Sequence, residues 1–329
     1  MTEQDIAKLI LGESVCIRRM RAEILGLGRC GLPILIQGPT GAGKELVAQA
    51  LHLVSGRPGR LVAVNCAAIP DTMGEAEMFG YVRGAFTGAV TDHPGYLLEA
   101  DHGTLFLDEI ASMSPTLQPK LLRALDTKEF RPGGARTNRS SDFRVIAAAN
   151  EDLERRMGEQ RFRADLLARL RGAVIAVPGL DRRLDDIPLL VRHFARAGAT
   201  AMGRAVDFSD AAMRLLQARA WPGHVRELRL AVERVVALSY GTLITANSLR
   251  SILDQRDTTR PPSTIELKRE ALIRALTKAR NDTGRAARLL EVDRSTIYRR
   301  SRRFDVALPL DLPDEDRLPS DWEPDALAE

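Results

Sequence analysis

The segment Gly38-Pro-Thr-Gly-Ala-Gly-Lys44 leaves the chain little choice of fold. It has the GxxxxGK spacing, in which glycines permit tight backbone dihedrals, successive N–H groups surround phosphates, and the lysine neutralises charge. Such a loop works between a strand and a helix, and the flanks comply. Leu32 to Gln37 is a short apolar run, and Glu45 to Val54 repeats apolar residues at helical spacing. Gly38, Pro39, Thr40, Gly41, Ala42, Gly43, Lys44 and Glu45 are therefore the expected phosphate-binding residues. Glu45 stands where a Ser or Thr hydroxyl usually reaches magnesium.

Further apolar or β-branched runs at Leu61 to Asn65, Thr104 to Asp108, Phe143 to Ala149 and Ala173 to Val177 alternate with helical stretches. That alternation predicts a parallel sheet covered on both faces, an α/β core over roughly Leu11 to Pro178. After Pro178-Gly179 the pattern turns wholly helical, through Asp185 to Ala199, Ser209 to Ala218 and Val225 to Leu238. The expected division is an α/β subdomain over 1–178, a helical lid over 179–254, a linker over 255–263, a basic helical module over 264–307 and a tail over 308–329. The apolar runs are far shorter than the roughly 20 residues that cross a bilayer, and the N-terminus lacks a signal-peptide pattern, so a cytoplasmic protein is expected. Cys16, Cys30 and Cys66 share no CxxC spacing and are expected to be reduced and buried or half-buried.

Leu105-Phe-Leu-Asp108-Glu109 places two carboxylates at the carboxyl end of an apolar strand, the edge where parallel sheets bind ligands. With Lys44 they predict ATP and Mg2+ as cofactors, Asp108 holding the metal and Glu109 orienting the attacking water. Phosphoryl transfer needs metal, water alignment and charge neutralisation more than covalent chemistry, so few residues suffice beside an arginine from elsewhere. Between the phosphate loop and this strand lies Gly84-Ala-Phe-Thr-Gly-Ala89. A nucleotide enzyme has no catalytic need for an apolar ring in a glycine-rich loop. Gly84, Ala85, Phe86, Thr87, Gly88 and Ala89 therefore read as a surface that touches another protein, Phe86 through its ring and Thr87 through its hydroxyl.

Charge distribution says more than the net +4. Thr264 to Ala307 carries 12 Lys or Arg against 6 Asp or Glu, whereas Leu308 to Glu329 holds 8 acidic residues and one arginine. Within the basic module, Asn281 to Leu290, a turn at Glu291 to Asp293, and Arg294 to Arg303 read as helix-turn-helix. Ala286, Ala287 and Leu290 should pack with Val292 and Ile297, leaving Arg294, Ser295, Thr296, Tyr298, Arg299 and Arg302 for the major groove or phosphates.

Together these motifs resemble the AAA+ activators of sigma-54 RNA polymerase, also called bacterial enhancer-binding proteins. The resemblance covers Leu11 to Leu253 and Ile265 to Val306. It implies an AAA+ P-loop NTPase with a helical lid, followed by an all-α Fis-type helix-turn-helix. Glu45 is also the family's residue. Asn65 is implied to hold Glu109 and switch water activation with nucleotide state. Asn150 corresponds to sensor I, with Ala149 where Thr is usual. Arg163 and Arg169, in Phe162-Arg-Ala-Asp-Leu-Leu-Ala-Arg169, correspond to fingers reaching a neighbouring subunit's γ-phosphate, which implies a hexameric ring. Arg226 corresponds to the lid arginine of sensor II, with His224 replacing the usual Asn. Pro178-Gly-Leu-Asp-Arg-Arg183 departs from the family's PPLRER and assigns no role to Arg182 or Arg183. Glu291 stands where the turn often has glycine.

The implied partners are sigma-54 and RNA polymerase, gripped by the Gly84–Ala89 loops, and enhancer DNA bound by dimers paired through Ile265 to Ala279. A regulatory protein or paralogous subunit is a further expected partner, because the stretch before Gly38 is too short for a receiver or ligand-sensing domain. Two rivals remain open at this point: a ring ATPase that remodels another partner, and a DNA-binding repressor that senses nucleotide without useful turnover. The intact loop disfavours the first, and the presence of Asp108, Glu109, Arg163 and Arg169 disfavours the second.

Overall fold

The computed structural model describes residues 2–150, 153–239, 242–254, 272, 275, 276, 279, 281–290 and 292–304. They belong to two compact units, Met1–Ile252 and Leu253–Glu329.

In the first unit α1 (Glu3–Leu9) and α2 (Val15–Gly28) precede β1 (Ile34–Gln37), α3 (Lys44–Ser55) and β2 (Leu61–Asn65). The chain continues through α4 (Gly74–Phe79), α5 (Tyr96–Glu99), β3 (Thr104–Asp108) and α6 (Gln118–Thr127). A hairpin of β4 (Glu129–Phe130) and β5 (Arg139–Ser140) leads to β6 (Arg144–Ala149), α7 (Leu153–Gly158), α8 (Ala164–Leu170) and β7 (Ala173–Ala176). Among the described residues the main sheet has the order β2-β3-β6-β1-β7, every pair parallel. This is the α/β architecture that the alternating runs predict.

Period-two side-chain alternation explains why both faces of the sheet are apolar. Leu105 and Leu107 point into one core with Leu35, Val145 and Ala147, whereas Phe106 points into the other with Ile34, Ile36, Ile146 and Ile175. Full burial of a side chain such as Phe106 contributes about 1.5–3 kcal/mol. The register sets Asn65 beside Asp108, and Gln37 between Ala149 and Ala176, so the carboxyl ends of all five strands open onto one edge. The Arg144 guanidinium, buried, donates to Gly28 O at 2.6 Å and Leu27 O at 2.8 Å, closing the last turn of α2.

Beyond β7 come α9 (Ile187–Ala201), β8 (Asp207–Phe208), α10 (Asp210–Ala218), α11 (His224–Leu238), β9 (Leu243–Ile244) and α12 (Ala246–Asp254). The region is not wholly helical, because β8 and β9 pair in parallel, Phe208 beside Ile244. Strands of two residues are too short to leave a periodic signal in sequence. Asp186 ties this region to the N-terminus: its buried carboxylate accepts Glu13 N–H at 2.6 Å, Ser14 N–H at 2.8 Å and Ser14 Oγ–H at 2.6 Å. The cysteines are free, with Cys66 buried and Cys16 half-buried as expected, but Cys30 is exposed. It follows the end of α2 on a surface turn, outside either core. No helix among the described residues is long and apolar enough to cross a membrane.

In the second unit α13 (Thr283–Leu289) and α14 (Arg294–Phe304) pack through Ala286, Ala287 and Ile297, with Leu272, Ala275, Leu276 and Ala279 in the same cluster and Leu290 and Val292 against it. The Asp282 carboxylate caps α13 by accepting Gly284 N–H at 2.8 Å and Arg285 N–H at 3.0 Å. The expected linker, the acidic tail and most of the expected Ile265 to Ala279 helix lie outside the described residues.

Candidate active site and contact loop

The loop after β1 runs into the N-terminus of α3, so its amides lie at the positive end of a helix dipole. Gly41 and Gly43 have φ of +82° and +107°, conformations open to glycine, and they turn the backbone around the phosphate position. Buried Lys44 sits inside this turn, its Nζ donating to Gly38 O at 2.9 Å and Pro39 O at 3.3 Å. Burial holds its ammonium pKa below the usual lysine range, Asp108 and Glu109 pull it back up, and Arg226 depresses it further. Four charged side chains from the phosphate loop, β3 and α11 therefore share one field.

Asp108 ends β3, and its Oδ1 accepts the N–H of Glu109 at 3.0 Å. Glu109 adopts a left-handed backbone, φ 53° and ψ 43°, before a single 3-10 turn over Ile110–Ser112. Such a conformation costs a non-glycine residue of order 1–3 kcal/mol and concentrates at functional sites. Beside the pair, the buried Cys66 thiol is pushed up to about 12 by desolvation and by the charges of Asp108 and Glu109. Asn65 lies level with Asp108 across the β2–β3 ladder, but its Oδ1 accepts Ala67 N–H at 2.9 Å and no hydrogen bond joins it to Glu109. Asn150, just past β6, donates from Nδ2 to Thr40 Oγ1 at 3.1 Å and so touches the phosphate loop directly.

The second wall comes from beyond β7. Arg226 stands in the first turn of α11, and its backbone N–H donates to Gly41 O at 3.2 Å. His224 accepts Leu180 N–H on Nδ1 at 3.1 Å and lines a cleft of about 740 Å3 with Cys16, Met20, Gly38, Pro39 and Arg182. Arg183, to which the sequence assigned no role, is buried and donates to Ala42 O at 2.9 Å. A buried guanidinium bracing a phosphate-loop carbonyl leaves no mark in local sequence, since its contact lies 141 positions away.

Arg163 and Arg169 do not join this cluster. Arg163 chelates Asp165 at 3.0 and 2.7 Å, and Arg169 pairs with Asp126 at 3.0 Å, both half-exposed. Gln118, also unpredicted, holds the Arg163 backbone: buried at the start of α6, it donates to Met113 O and Arg161 O and accepts Arg163 N–H at 2.8 Å.

The Gly84–Ala89 segment is a compact exposed loop. Gly84 N–H donates to Ala89 O at 2.9 Å and Ala89 N–H to Phe86 O at 3.1 Å, with Gly84 and Gly88 at φ +82° and +103°. Phe86 is 51% exposed and neighbouring Val90 75%, while Ala89 is buried beneath them. The base of the loop pairs through Tyr81 with His93 and Gly133, which joins it to the β4–β5 hairpin.

In the second unit, Arg294, Ser295, Tyr298 and Arg299 are exposed on α14 and Thr296 is half-buried, while the Arg302 side chain lies outside the described residues. Arg294 Nε donates to Thr283 Oγ1 at 3.0 Å, and the Tyr298 hydroxyl lies 3.4 Å from the same oxygen.

The family described as "Sigma-54 interaction domain" matches residues 10–176, and the "AAA+ ATPase lid domain" matches residues 181–265. The chain is 39% identical over 307 residues to the transcriptional regulatory protein ZraR of Klebsiella oxytoca, an alignment covering 90% of this chain and 69% of that one. It is 43% identical over 236 residues to the Nif-specific regulatory protein of Bradyrhizobium diazoefficiens, covering 71% of this chain and 40% of the relative. Among solved structures, NtrX from Brucella abortus in complex with ADP superposes with a TM-score of 0.72 at 33% identity, covering 92% of this chain and 72% of NtrX. NtrX in complex with ATP gives 0.71 at 32% identity. With the phosphate loop, the acidic strand end and the exposed loop each in place on an AAA+ fold, the chain belongs to the sigma-54-dependent transcriptional activators.

Proposed function

We propose that this protein assembles into a ring on enhancer DNA and spends ATP to remodel the sigma-54 RNA polymerase closed complex into the open one. The observation that carries the reading is the convergence of Lys44, Asp108, Glu109 and Arg226 at the sheet edge of a chain whose Gly84–Ala89 loop exposes Phe86. The solved complexes of NtrX with ADP and ATP support nucleotide as the ligand of the corresponding loop here.

In this reading the amides of Gly41 to Lys44 and the Lys44 ammonium bind the phosphates, and Asn150 and Arg226 report the γ-phosphate to β6 and α11. Asp108 would hold a magnesium ion, a hard cation that favours carboxylate oxygen and would supply charge neutralisation at the γ-phosphate. Glu109 orients water for in-line attack at the γ-phosphorus, and the bond to the β-bridging oxygen breaks to give ADP and phosphate. Asn65 would have to leave the Ala67 amide to hold Glu109, so its switching role requires a side-chain rotation. Arg163 and Arg169, paired on the surface, would exchange their carboxylates for the γ-phosphate of a neighbouring subunit, which makes hydrolysis depend on assembly. The exposed side chains of Arg294, Ser295, Tyr298 and Arg299 on α14, with Thr296 and the sequence-assigned Arg302, serve DNA, phosphate contacts dominating affinity.

The test is ATP turnover by the assembled protein and by Glu109→Gln. The variant is expected to bind ATP and retain it unhydrolysed; turnover at the wild-type rate would remove Glu109 from its role.

A further inference from the structure

The sequence presents Phe86 as an exposed apolar contact, but its ring is not free. Tyr81 and Phe86 meet edge to face, with centroids 4.9 Å apart and planes at 63°. On its other side Tyr81 packs against His93, centroids 5.4 Å apart and planes at 34°. The backbone holds Tyr81 still while it does so. Tyr81 N–H donates to His93 O and His93 N–H to Tyr81 O, both at 2.9 Å, and the next residue, Val82, donates to Gly133 O at 3.0 Å. Tyr81 is thus clamped to two strands of chain, one on each side of the loop base.

Among the described residues, no hydrogen bond ties residues 84–89 to His93 or to the hairpin. Gly84 and Gly88 meet nothing within 4 Å at their Cβ positions, and the loop's hydrogen bonds run within itself or to Val82. Within the loop, Ala85 lies close over Gly134 of the hairpin, where an added Cβ would meet it at 2.9 Å. The Tyr81 ring therefore packs on a Phe86 side chain that still leaves half its area in water.

We propose that Tyr81 is the positioning residue of the Gly84–Ala89 loop: its ring holds Phe86 down on the loop base, so that loosening this one aromatic contact sets how often the loop presents Phe86 to a partner protein. The inference rests on the reading of this loop as the sigma-54 contact only for its functional consequence. The physical claim, that the ring pair restrains the loop, stands on the geometry. An edge-to-face pair at this spacing shifts such an equilibrium by about two- to tenfold.

Amide hydrogen exchange of residues 84–90 in the full nucleotide-free chain separates the two. Tyr81→Leu should raise exchange at the Gly84 and Ala89 amides about two- to tenfold, and Tyr81→Phe, which keeps the ring edge, should match wild type. Phe86→Leu should raise it comparably, and the double variant Tyr81→Leu/Phe86→Leu should rise no further than the single ones, as two halves of one contact do. Unchanged exchange in Tyr81→Leu, or additive effects in the double variant, overturns the proposal. Binding of purified sigma-54 to Tyr81→Leu held in a transition-state-like nucleotide complex is expected to strengthen by the same factor. Raised exchange together with failure of every variant, and of the wild type, to bind sigma-54 contradicts the sigma-54 reading and leaves the ring contact standing.

Discussion

Replacing Gly41 by alanine tests how tightly the phosphate loop is coupled to α11. At φ +82° an added Cβ costs about 1–3 kcal/mol in backbone strain alone. The same atom would meet Gly223 O well inside van der Waals contact and Arg226 Cβ at 3.2 Å. A carbonyl oxygen of the backbone cannot swing away, so the loop and the start of α11 must separate, at a further cost of about 1–3 kcal/mol. That separation also threatens the hydrogen bond from Arg226 N–H to Gly41 O, now 3.2 Å long. Gly43 supplies the control. Its φ of +107° carries a comparable strain, but its Cβ meets nothing nearer than Leu46 Cδ1 at 4.0 Å. Urea unfolding of the nucleotide-free protein should therefore show Gly41→Ala destabilised more than Gly43→Ala by about 1–3 kcal/mol. Equal losses would refute the argument, because they would mean that the lid gives way freely and does not brace the loop.

Arg183→Met should leave Ala42 O without its buried partner and destabilise the protein by about 1–3 kcal/mol, with weaker nucleotide binding; unchanged thermal unfolding would show the guanidinium is dispensable. Alkylation with iodoacetamide, mapped by mass spectrometry at pH 8, should label exposed Cys30 and spare Cys66. The raised Cys66 pKa keeps it a thiol at every pH below about 12, so its labelling should gain rate only as pH climbs toward that value; prompt labelling of the folded protein would contradict the burial. Arg299→Ala should weaken DNA binding across sequences and lower the salt slope by about one, whereas loss confined to one base position would make it a base reader.

Much of this architecture was legible because it rests on local pattern. The strands at 34–37, 61–65, 104–108, 144–149 and 173–176 fall within the apolar runs, and the phosphate loop sits between the strand and helix its spacing requires. The packing of Ala286, Ala287, Leu290, Val292 and Ile297 followed from helical spacing in the same way. What stayed hidden depends on distant partners. The β8–β9 pair joins two-residue segments separated by two helices' worth of chain, Arg183 reaches back to Ala42, and Asp186 caps a helix at Ser14. The cis pairing of Arg163 and Arg169 with Asp165 and Asp126 was equally invisible, since a finger motif specifies a neighbour and not where the side chain rests without one. Tyr81 carries no motif signal, and its importance emerges only when ring geometry puts it under Phe86.

The most direct measurement is binding of purified sigma-54 to the full chain held in a transition-state-like nucleotide complex, with Thr87→Ala beside the wild type. The account predicts a stable complex that forms only with the nucleotide state and is lost in Thr87→Ala while nucleotide affinity is kept. Normal ATP turnover with no sigma-54 complex, or a complex indifferent to Thr87, would contradict it.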